Sequence, residues 1–65
     1  MNIPFAETID GFHFTGLADF EPAEPGWPAI VTVFILHVDG SHKDFIDIIN
    51  PAIVQRIEKS LVEDV

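Results

Sequence analysis

Three residues near the middle of the chain, His37, Asp39 and His42, read H-x-D-x-x-H, with His13 elsewhere. Imidazole and carboxylate are metal ligands, and residues i and i+2 of a strand share a face. His37 and Asp39 could therefore reach one ion while His42 returned across a turn. Structural zinc sites carry four ligands with stronger spacing signatures, and there is no cysteine here to complete one. A polar strand end and a solvated turn is the plainer account, and we adopt it. Nucleophilic chemistry has less to work with: Cys and Tyr are absent, the serines are Ser41 and Ser60, and no glycine-rich phosphate loop occurs. Asp44 and Asp47 lie one helical turn apart, but paired carboxylates do acid–base work only when one sits in a desolvated pocket. So small a domain has little room for one. The expectation is a non-enzymatic chain with no catalytic residue, no metal and no cofactor.

Charge is the remaining signal. The 65 residues carry a net charge of −8. Residues 1–42 hold Glu7, Asp10, Asp19, Glu21, Glu24 and Asp39 and no Lys or Arg, whereas residues 43–65 set Lys43, Arg56 and Lys59 among five carboxylates. Unneutralised like charge destabilises a compact state. It also disfavours DNA, RNA and anionic membranes, all polyanions, as ligands. A basic protein surface is the natural partner. We take Glu7, Asp10, Asp19, Glu21, Glu24 and Asp39 as candidate contacts, with Asp44 and Asp47 as outer candidates.

Residues 21–29, EPAEPGWPA, repeat a proline triplet: Pro22, Pro25 and Pro28 alternate with Glu21, Glu24 and Trp27 at the same period. Three residues is the period of polyproline II, so Glu21, Glu24 and Trp27 would share a ridge. Asp19 and Glu21, at i and i+2 of a strand, place their Cα atoms about 6.5–7 Å apart. Glu24 would follow about 9 Å further along a polyproline arm. A row of carboxylates on a stiff backbone resembles a row of phosphates. The competing account is solubility, since small proteins often carry several net charges for colloidal stability. Trp27 is expected to cap the end of the core where this arm meets the next strand, with an interface anchor as the alternative.

The elements that would position these groups follow from periodicity. Asp10-Gly11 and Asp39-Gly40 are strong hairpin signals, because both central turn residues need positive φ. Phe12, Phe14, Ala18 and Phe20 alternate with His13, Thr15, Leu17, Asp19 and Glu21, a half-buried strand in which Gly16 marks a bulge or bend. Pro4 suits the preceding segment to an edge. Residues 29–38 are apolar on both faces: Ile30, Phe34, Leu36 and Val38 with Thr32, against Val31, Val33 and Ile35 with His37. Such a strand is expected to be central and covered on both sides. SHKDF, after Asp39-Gly40, is expected as a short fourth strand or an extended lead-in, and DFIDII as an early helical turn or two. Asn50 is an N-cap with Pro51 at the first helical position. Ile53, Val54, Ile57, Leu61 and Val62 then form the apolar stripe of a helix over 51–63.

The fold class is thus α+β: residues 1–65 as one domain, a small antiparallel sheet of three or four strands in meander order, and a C-terminal amphipathic helix packed on one face. A helix of about 20 Å covers one sheet face only. The opening arm, the turns around Phe45 or a second copy would have to close the other. MNIPFAETID has neither a basic n-region nor an apolar h-region, and AIVTVFILHV is about half a membrane span. The expected location is the cytoplasm of a host bacterial cell.

The small size, the carboxylate excess, the strand and turn GWPAIVTVFILHVDG and the helix start NPAIVQRIE resemble small phage-encoded anti-CRISPR proteins. Among them the chain is similar to acidic inhibitors of the type I-C Cascade complex, which act as double-stranded DNA mimics. The resemblance spans the chain in length and character. It implies evasion of antiviral defence by occupation of a basic DNA-binding channel, as monomer or homodimer, and transfers no residue role. The rival reading is a small phage structural or assembly module, whose two-sided apolar strand builds an interface and whose acids serve solubility.

Overall fold

A computed structural model describes residues 1–63. Its first hairpin forms where the first Asp-Gly pair lies: Asp10 and Gly11 adopt φ of 52° and 85°, as a two-residue type I′ turn requires. Ile9 pairs with Phe12 across it, joining β1 (Asn2–Ile9) to β2 (Phe12–Glu21). β3 (Ile30–Val38) pairs antiparallel with the other side of β2, and α1 (Pro51–Glu63) ends the described chain. The result is an α+β fold with a three-stranded antiparallel meander, β1-β2-β3.

β2 is therefore the central strand, and β3, expected to be central, is an edge. No fourth strand forms over SHKDF. After Asp39-Gly40 the Ser41 amide donates to the Val38 carbonyl, and the Phe45 amide reaches the Leu36 carbonyl at 2.7 Å. The chain then coils away, with Ile48 and Ile49 both donating to the Phe45 carbonyl. DFIDII makes one turn and no helix. The free edge of β1 carries Pro4, as expected. Phe20 donates to the Met1 carbonyl, so by alternation Pro4 is turned away from β2 and its missing N–H faces no strand.

The two-sided character of β3 is resolved by a β-bulge. Leu17 pairs with Ile35, but Ala18 pairs with Val33, leaving Phe34 as the extra residue. One extra residue shifts the alternation by one, which moves everything beyond it to the opposite face. Val31, Val33, Leu36 and Val38 consequently share one side, whereas strict alternation would set Leu36 and Val38 against Val31 and Val33. Gly16 lies opposite Leu36, beside this irregularity. A methyl group there would overlap the Ile35 carbonyl and meet the Phe5 ring at 3.1 Å. The glycine allows the bulged backbone to approach.

The core then sits on one face. Phe5, Phe14, Ala18, Val31, Val33 and Leu36 are buried there, and Ile57 from α1 closes over them. Ile53, Val54, Leu61 and Val62, with Phe45, Ile46 and Ile49 of the preceding loop, pack around this cluster. The helix starts where Asn50 caps it: the Ala52 amide donates to Asn50 Oδ1 at 3.0 Å. Among the described residues no helix is long and apolar enough to cross a membrane. The radius of gyration is 11.9 Å, against about 10.7 Å for a compact chain of this length. The excess reflects a long axis of 38 Å against 21 and 18 Å.

These contacts set two expectations for urea unfolding. Gly16→Ala should cost about 3 kcal/mol or prevent folding, because the obstacle is backbone. Ile57→Ala should lose about 2–5 kcal/mol, whereas Ile48→Ala, at a side chain 77% exposed, should stay within about 0.5 kcal/mol of wild type.

Candidate functional site

Residues 22–29 connect β2 to β3. Pro25-Gly26 forms the tip of this connection, with Gly26 at φ 84°, the proline-then-glycine order of a type II turn. The Trp27 amide donates to the Glu24 carbonyl at 2.8 Å and the Glu24 amide to the Trp27 carbonyl at 3.0 Å. Polyproline II makes no internal hydrogen bonds, so the expected triplet ridge is replaced by a hairpin tip. The reason is Gly26, which tolerates the positive φ that folds the chain back. Two cross-strand pairs result, Glu21 opposite Ile30 and Glu24 opposite Trp27. One strand of this ribbon is acidic where the other is apolar. Glu21, Pro22, Glu24, Trp27, Pro28 and Ile30 line a shallow cleft of about 490 Å³. Trp27 does not cap the core; it is 70% exposed, because the turn carries it beyond the reach of α1.

The eight candidate carboxylates do not form one surface. Asp19 and Glu21 lie on the sheet face opposite α1, and Glu24 continues from them along the ribbon. Glu7 lies on the helix-covered face, where the Ser60 hydroxyl donates to its Oε1 at 3.1 Å. Asp10 and Asp39 occupy turns at the far end of the sheet. Asp10 Oδ2 is 3.4 Å from an Arg56 nitrogen, and Asp39 Oδ1 accepts the His13 amide at 2.9 Å. Asp19 lies 3.2 Å from the Met1 ammonium. Asp44 Oδ1 accepts two amides, from Leu36 and Ile46, both at 3.0 Å. Asp47 sits exposed in the turn that follows.

Sequence reasoning missed Glu58. Its Oε2 accepts the Val33 amide at 2.9 Å, although its spacing places it on the polar part of α1. No local pattern signals this, because the bond exists only when β3 is an edge beside the helix. Among the described residues, Glu21, Glu24, Asp47 and Glu63 make no side-chain hydrogen bond or ion pair.

The histidines are held apart. His13 Nδ1 is 2.9 Å from Thr8 Oγ1, and His37 Nδ1 is 2.9 Å from the Lys43 carbonyl. Among the described residues no three His, Asp or Glu side chains gather as a metal site. Beyond the ribbon, the sheet face opposite α1 carries Leu17, Ile35 and Phe34, the last 39% exposed. Comparison of the chain with known protein families, with curated proteins and with solved structures finds no match.

The Leu36 amide first, then the Ile46 amide, hold the Asp44 carboxyl below its ordinary value, with the nearby His37 adding to this and partial desolvation opposing it. A depressed carboxylate adds stability above its unfolded pKa and loses it as pH falls through the folded value. Asp44→Asn, which retains an acceptor but not the charge, should therefore melt lower than wild type at neutral pH. The difference should shrink as pH drops below about 3.9, as read by thermal melts across pH 2–7.

Proposed function

We propose that this chain is a non-enzymatic binding module that occupies the basic nucleic-acid-binding channel of a protein partner, setting carboxylates where phosphates would lie. In keeping with its resemblance to anti-CRISPR proteins, the partner in this proposal is a surveillance complex of the type I-C Cascade kind. One observation carries the reading: Asp19, Glu21 and Glu24 follow one another along a projecting ribbon, and Glu21 and Glu24 have no internal partner among the described residues. Five residues of extended chain set their outer limits about 17 Å apart. A groove built to neutralise about one charge per 1.7 Å of duplex axis can meet such a row with several cations at once. The paired ribbon limits the ordering entropy lost on binding. Glu7, Asp39 and Asp44 accept hydrogen bonds within the fold and take a smaller part.

A second reading is favoured by Leu17, Phe34 and Ile35, which leave an apolar strip on the sheet face without the helix. In that reading the chain is an assembly module that buries this face, in a homodimer or against another protein.

Capture with the chain as bait, followed by washes of rising salt, tests the first reading. Partner retention should fall steeply with salt, and duplex DNA should compete for the same partner. Joint reversal of Asp19, Glu21 and Glu24 to Lys should abolish capture with circular dichroism unchanged. Undiminished capture by that variant rejects the reading. Salt-insensitive capture that is lost in Phe34→Ser, or a dimer appearing in solution mass measurements as concentration rises, supports the second.

A further inference from the structure

We infer that the cleft at the ribbon tip is a slot for an arginine side chain presented by the partner, an inference that rests on the partner being basic. The two cross-strand pairs give the slot its chemistry. Glu21 faces Ile30 and, three residues on, Glu24 faces Trp27, and all four line the same cleft, so acidic and apolar groups stand opposite each other across it. Long basic side chains have the matching construction, an apolar stem with a charged head. The stem lies along Ile30 and Pro28 while the head meets Glu21 and Glu24.

Trp27 decides which cation fits. Its indole is 70% exposed beside Glu24, and an indole face is the strongest aromatic site for a cation. A guanidinium is planar, so it stacks on the ring while its edge N–H groups pair with a carboxylate in bidentate fashion; an ammonium cannot do both. Pro22, Pro25 and Pro28 limit the conformations of the tip before binding, which reduces the entropy lost on capture. Charge complementarity settles the class of occupant. A second copy would bring another eight net negative charges, and its one arginine, Arg56, already lies against Asp10. A nucleic acid would be repelled.

Trp27 is the chain's only tryptophan, so its fluorescence reports on the slot directly. The full chain is titrated with a hexa-arginine and a hexa-lysine peptide at matched ionic strength. The arginine peptide should shift Trp27 emission and bind about two- to five-fold tighter than the lysine peptide. Calorimetry on Trp27→Leu, which retains apolar area without the π face, should show the preference gone. Glu21→Gln with Glu24→Gln should weaken both peptides more than Asp47→Asn with Glu63→Gln. All four positions are exposed, and thermal melts check that each variant folds. Equal affinities with unchanged emission would overturn the slot and leave the charged-decoy reading standing. Failure of both peptides to bind at low salt would overturn both.

Discussion

Two backbone amides on the free edge of β3 need acceptors, and much of the molecule is arranged around supplying them. The Val33 and Leu36 amides flank the bulge, and no further strand lies beside them. An edge amide without a partner is either an unsatisfied donor or a template for another chain. Here Glu58 takes the first and Asp44 the second. Both bonds are charge-assisted, the stronger kind. Glu58 thereby ties α1 to the sheet, and Asp44 ties down the loop that delivers Phe45 and Ile46 to the core. The bulge, the helix and the loop therefore depend on one another, and a small hydrophobic cluster is held in place by carboxylates at its rim.

The same observation changes what the acidic composition means. A net charge of −8 suggests a uniformly negative surface, but the carboxylates divide into two groups. Those of Glu7, Asp39, Asp44 and Glu58 accept hydrogen bonds within the fold, where a carboxylate is a better acceptor than a neutral amide. Those of Glu21 and Glu24 stand on the ribbon with neither cation nor amide among the described residues. Asp47 and Glu63 are likewise unpartnered among the described residues, but only Glu21 and Glu24 stand in one cleft with an exposed indole. Electrostatics alone steers encounter and sets salt sensitivity. An aromatic side chain within the charged patch supplies what charge lacks, a shaped contact.

Much of the fold was legible in the residues. Asp10-Gly11 marked a hairpin, the alternation from Phe12 to Glu21 marked its half-buried strand, Pro4 marked an edge, and Asn50-Pro51 with the stripe from Ile53 to Val62 marked the helix. Each signal is local, acting within a few residues through backbone φ, a missing N–H or the direction of a side chain. Gly16 also pointed correctly to an irregularity. The candidate site was less legible. Asp19 and Glu21 share a strand face as their spacing demands, but the triplet repeat favoured an extended arm where Pro25-Gly26 makes a turn. Two local rules competed there, and backbone pairing of Glu24 with Trp27 selected one.

Left to itself, then, the chain's order of residues determined the first hairpin turn, the half-buried strand after it and the helix with its cap, because those depend on neighbours in the chain. Only tertiary structure decided that β3 is an edge, that Phe34 bulges so Val33 and Leu36 face the same core, that Trp27 lies in solvent, and that Glu58 and Asp44 serve backbone amides. Each of these depends on which strand or helix lies alongside. A bulge is a mismatch between two paired strands, and an edge amide is free only for want of a neighbour, so neither can be read from one segment alone.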